Sequence, residues 1–171
     1  MKTQRNHIVA TLIISLLFAA ALLPALLHAQ DQASNKAEAQ RKMCINQMKQ
    51  IGLAFRVWAS DNHDQYPFNV PKKQGGTLEW CSIDADGFDR NAWHHFLVLS
   101  NELSTPRILV CPADSSKKSA ARFSSFGADN LTYQLHSGKE ISVMHSDRVL
   151  AHCPIHNIDL MCDGSVVERE K

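Results

Sequence analysis

A chain of 171 residues, 44% of them apolar, has the length of one ordinary domain and too much hydrophobic content for a disordered segment. Its formal net charge is +1. Setting aside Lys2 and Arg5, which precede a hydrophobic run, leaves 16 of the 18 basic side chains against 17 acidic ones, a net of −1. With no basic excess to neutralise phosphates, nucleic-acid binding is excluded as a principal role.

The first element is the run from Ile8 to Leu27, twenty residues interrupted only by Thr11, Ser15 and Pro24. As a helix it would span roughly 30 Å, the thickness of a bilayer core. Lys2 and Arg5 before it, and Asp31 and Glu38 after it, orient the N-terminus to the cytoplasm and the rest of the chain outward. Two readings stand side by side. Leu27-His28-Ala29, just after Pro24, has the outline of a signal cleavage site; the length of the run suits a retained membrane anchor. The expected division is therefore an export or anchor segment at 1–30 and a globular domain at 31–171.

A second helical signal covers 31–62, where there is no Pro and Gly52 is the only Gly. Cys44, Met48, Ile51, Phe55 and Trp58 fall on one face, widened by Ile45, Gly52 and Ala59. Lys42, Lys49, Gln50 and Arg56 lie mostly on the flanks and back. Such a stripe needs a partner surface, and a core-facing helix accounts for it without any chemistry. Asp61-Asn62-His63-Asp64 and Tyr66-Pro67 end the helix in a turn and an extended dipeptide.

Beyond it, Pro71–Gly76 reads as a polar loop. Thr77–Arg90 is mixed, with Trp80 and Cys81 expected inside and Asp84, Asp86 and Asp89 outside. Ala92–Leu103 is helical, with Trp93, Phe96, Leu97 and Leu99 apolar; of His94 and His95, one ring packs and the other meets solvent. Arg107–Val110 has the composition of a short strand. From Leu131 the period becomes two, with Leu131, Tyr133 and Leu135 alternating with Thr132, Gln134 and His136. Arg148–His152, Ile158–Cys162 and Ser165–Val167 are further short strands separated by turn residues. A long helix followed by an antiparallel meander makes an α+β domain, with the stripe covering one sheet face.

Several blocks together resemble a known family. Cys44-Ile45-Asn46-Gln47-Met48-Lys49-Gln50-Ile51-Gly52-Leu53-Ala54, then Trp58-Ala59-Ser60-Asp61-Asn62 and Tyr66-Pro67, resemble prepilin-like proteins of the type II secretion pseudopilin kind, in the versions of the Verrucomicrobia–Planctomycetes type. Leu22-Leu23-Pro24-Ala25-Leu26 looks like the end of their hydrophobic helix. Val110-Cys111-Pro112-Ala113-Asp114, Cys153-Pro154-Ile155-His156 and Asp163-Gly164-Ser165-Val166 resemble further blocks, in the same order. The resemblance implies a pilin-like fold and a non-enzymatic structural subunit, held in the inner membrane with its domain in the periplasm. It also implies other pilin-like subunits as partners. The chain departs from the family's processing site, for Val9-Ala10-Thr11-Leu12-Ile13-Ile14 holds no Gly, no Phe and no acid. The alternative is a soluble periplasmic or secreted binding module, metal binding included, that has lost polymerisation.

Five cysteines in an exported domain suggest disulfides. Cys44, on the helical stripe, is the natural one to leave unpaired, and Cys81, Cys111, Cys153 and Cys162 allow three connectivities. A Cys153–Cys162 bridge is possible across a hairpin only if the turn shifts its register. His152, His156 and Cys162 are of zinc-ligand type, with Cys153, His136 and His145 in the same part of the chain. Their spacing opposes a site: Pro154 prevents a helix between His152 and His156, and His152 and Cys153 point to opposite faces of a strand. No metal, cofactor or small-molecule substrate is therefore expected. There is no phosphate loop, nucleophile elbow or HExxH pair, so no catalytic residues are assigned.

Overall fold

The absence of helix breakers after residue 31 is realised in full, and a single helix, α1, spans Lys2–Asp61. The computed structural model describes the backbone of residues 2–169 and the side chains of residues 28–169. The side chains of Ile8–Leu27, on which the expected anchor or signal rests, lie outside the described residues. Among the described residues no helix is long and apolar enough to cross a membrane. The chain divides into two units, Met1–Ala39 and Gln40–Lys171. Within the first, residues 28–39 are helical and exposed throughout.

The second unit is α+β. Cys44, Met48, Ile51, Phe55 and Trp58 are all buried, the first four completely. Asn62 then closes α1 by donating its side-chain amide to Trp58 O at 2.8 Å. His63 and Asp64 follow in the left-handed region, φ 57° and 58°, and Asp64 N returns to Ala59 O. Short polar residues tolerate that conformation and satisfy the helix's last carbonyls.

The meander is a four-stranded antiparallel sheet in the order β1 (Gln134–Leu135), β2 (Val149–Cys153), β3 (Ile158–Met161), β4 (Val166–Glu168). Gln134 pairs with His152, Cys153 with Ile158 and Ile158 with Glu168. The stripe of α1 lies on this sheet, and Gly52 makes the close approach possible. A β-carbon there would come within 2.8 Å of Leu160 Cδ1 and 3.3 Å of Gly164 Cα. Arg56 Nη1 donates to Asp163 O, and Arg41 pairs with Glu168 of β4. At the other end of the stripe, Phe55 packs edge-on against Tyr66 and Phe96, with Phe68 alongside.

Three local expectations are corrected. Residues Arg107–Val110 do not form a strand; Pro106–Leu109 is a 3-10 turn. Pro106 presets its first residue, and the Thr105 hydroxyl accepts Arg107 N. The segment Ala92–Leu103 is two short helices, α2 (Ala92–Val98) and α3 (Ser100–Leu103), ended by Ser104 at φ 60°. Asp89 is buried rather than exposed, because it holds the polar group described next.

Candidate functional site

Two polar clusters lie within the second unit. The first is centred on Asp89. Its Oδ1 accepts the backbone N–H groups of Ser82 and Asn91 at 3.1 and 2.8 Å. Its Oδ2 meets Ser137 Oγ at 2.5 Å and His95 Nε2 at 3.1 Å, and His95 Nδ1 reaches Thr77 Oγ1 at 2.6 Å. An Asp–His–Thr chain has the outline of a nucleophilic triad. However, His95 and Thr77 are wholly buried, so no substrate reaches the hydroxyl. Burial alone would raise the Asp89 pKa; the hydrogen bonds from His95 and Ser137 outweigh it and lower it to about 2. Cys81 is half-buried beside this group, its sulfur 3.5 Å from Phe68 O. With its polar atoms mutually satisfied, the group is structural. His94 takes the outer place expected of one of the paired histidines, stacked between Trp80 and Trp93 at 4.1 and 3.6 Å.

The second cluster joins three distant parts of the chain. Cys44 from α1, Cys111 from the turn after the 3-10 segment, Cys153 from the end of β2 and His156 from the β2–β3 loop converge. One ligand atom from each lies within 4.8 Å of all the others. Cys44 Sγ donates to Cys153 Sγ at 3.4 Å, and Cys111 Sγ lies 3.3 Å from His156 Nδ1. The three cysteines are buried and His156 is half-buried.

Two Cys-Pro turns shape the cluster. In Cys111-Pro112-Ala113-Asp114, Asp114 N returns to Cys111 O at 2.9 Å, and the Ala113 amide hydrogen-bonds the Cys111 sulfur. Thr132 accepts Cys111 N on its hydroxyl oxygen at 3.1 Å and donates to Asp114 Oδ2 at 2.7 Å. In Cys153-Pro154-Ile155-His156, the amides of Ile155 and His156 hydrogen-bond the Cys153 sulfur, and Asn157, at φ 55°, returns its N–H to Cys153 O. Pro in each turn fixes the chain that sends the following amides back to sulfur. Tyr133 covers the group, its hydroxyl 3.6 Å from Cys44 Sγ and donating to Gln47 Oε1. Hydrogen bonds from Cys111 and Cys44, helped by the two amides, overcome burial and lower the Cys153 pKa. Cys44 is correspondingly raised, by its hydrogen bonds to Cys111 and Cys153 and then by burial.

The sequence-stated candidates separate here. All five cysteines are free thiols, so none of the expected pairings among Cys81, Cys111, Cys153 and Cys162 is made. For Cys153–Cys162 the register explains it. Cys153 sits opposite Ile158, whereas Cys162 bonds Arg148 O, about four strand steps or roughly 13 Å along the ladder. Of the weak zinc candidates only His156 is in the cluster. His152 Nδ1 instead binds Asp159 Oδ1 at 2.7 Å, and Asp159 in turn pairs with Arg169. Cys162 is buried near Tyr66, whose hydroxyl donates to its carbonyl oxygen. His136 Nδ1 donates to Gly87 O, and His145 meets Ser142. Cys44, set aside as a small apolar residue, belongs to the site, and so does Cys111. The signal that could have found Cys111 was the repeated Cys-Pro turn, its second copy ending in His three residues on; Cys44, followed by Ile45 within the helix, carries no such signal.

No protein-family model matches the chain, and no curated protein or solved structure shows significant similarity to it.

Proposed function

We propose that this chain is a non-enzymatic pseudopilin-like structural subunit, held at the inner membrane with its Gln40–Lys171 unit in the periplasm. The observation that carries the reading is the one long helix whose buried stripe, Cys44 to Trp58, packs on an antiparallel sheet formed from the last third of the chain. That is the arrangement implied by the resemblance of its sequence blocks.

A second reading, a soluble exported module that no longer polymerises, has one specific observation behind it: Val9–Ile14 lacks the Gly, Phe and acid of the processing site. Mass spectrometry of the mature N-terminus, with fractionation of membranes, separates the two. Retention of Ile8–Leu27 in a membrane-bound chain is the expected result. A mature start at Gln30 in a soluble fraction would overturn the anchored reading in favour of the second.

A further inference from the structure

We propose that Cys44, Cys111, Cys153 and His156 form a closed structural zinc site. The donor set is three sulfurs and one imidazole nitrogen, all within 4.8 Å of one another. Four ligands around tetrahedral zinc, with Zn–S of about 2.3 Å, lie about 3.8 Å apart. The 3.4 Å separation of the Cys44 and Cys153 sulfurs and the 3.3 Å approach of Cys111 to His156 need only a small expansion to admit the ion. Soft thiolates with one imidazole suit zinc and exclude calcium and magnesium, which take oxygen ligands. Four protein ligands leave no open position, so the site holds structure and activates no water.

Three features outside the ligand atoms support the assignment. Amides of Ala113, Ile155 and His156 are aimed at the Cys111 and Cys153 sulfurs, as thiolate ligands require. Thr132 and Asp114 lock the Cys111 turn from behind. Arg41, ion-paired with Glu168, also reaches His156 O with its guanidinium at 3.5 Å and so ties the His156 turn to α1. A disulfide would use only two of the three sulfurs and leave Cys111 and His156 gathered without purpose. On binding, the thiol protons pass to solvent and no electrons move. The site would fasten the α1 stripe to the Cys111 turn and to the β2–β3 loop, contacts made by residues 44, 111, 153 and 156.

The test uses the full chain purified under reducing conditions. Metal analysis should find one zinc per chain, and replacing it with cobalt(II) should give the ligand-field and sulfur-to-cobalt charge-transfer bands of a tetrahedral thiolate site. Cys81→Ser and Cys162→Ser should keep the metal; Cys111→Ser and Cys153→Ser should lose it. Because those two variants could simply fail to fold, the half-buried His156 gives the second arm. His156→Cys should retain zinc and intensify the charge-transfer band, whereas His156→Ala should lose zinc to a chelator that leaves the wild type loaded. A chain that binds neither ion and titrates as five free thiols would overturn the proposal, as would a metal-free chain linked Cys44–Cys153. The readout is metal, so it stands or falls apart from the membrane-subunit reading.

Discussion

Asp89 is a surface-type residue held inside, and its four partners state what it contributes. Its folded pKa of about 2 lies below the ordinary 3.8, so the carboxylate stabilises the fold above the unfolded value. That contribution disappears as pH falls through 3.8 towards about 2, and it amounts to about 2 kcal/mol. Urea midpoints measured across that range should show the loss in the wild type. Asp89→Asn should flatten the dependence while lowering stability at neutral pH, since His95 and Ser137 lose their charged acceptor. The sequence placed Asp89 with Asp84 and Asp86 because all three stand in a polar stretch without periodicity. Only its contacts with His95 and Ser137, neither of them legible locally, bring it inside. Cys44 is the opposite case. The helical stripe accounts for its burial so well that periodicity gave no reason to ask what its sulfur touches.

Elements were more legible than sites, and the reasons differ by element. The α1 stripe carries a strong local period and its burial follows it, whereas the strands were marked by apolar composition between turn residues, β2 and β3 being buried on both faces rather than alternately. Arg107–Val110 carries apolar composition without a period, so Pro106 decided the outcome. The helix–sheet contact can be tested where it is tightest. Gly52→Val would drive branched carbons into Leu160 and the Gly164 backbone and should cost about 1–3 kcal/mol in thermal or urea unfolding. Phe55→Ala removes a fully buried ring from an aromatic cluster and should cost about 3–5 kcal/mol. Gly76 is stricter still: a β-carbon there would fall 2.0 Å from Val70 O, backbone against side chain. Gly76→Ala should therefore destabilise by about 3 kcal/mol despite adding a single methyl.

At the scale of the molecule, Gln40–Lys171 is a unit with its own core, and residues 28–39 are exposed throughout. A chain begun near Ser34 should therefore unfold within about 1 kcal/mol of the full-length protein, because truncation costs what it unburies. Calorimetry of the two forms checks this; a much larger loss would show that the first unit supports the second. The same core has a consequence in time. Part of the surface that covers the Cys44–Trp58 stripe is supplied by the strands of residues 149–168, made well after the helix itself. At about 5–20 residues per second, the apolar stripe waits on the order of 5–20 s between its own synthesis and the arrival of the sheet. Through that interval the helix is a ready ligand for any chaperone that binds apolar segments, and the fate of the domain is open until β2, β3 and β4 emerge.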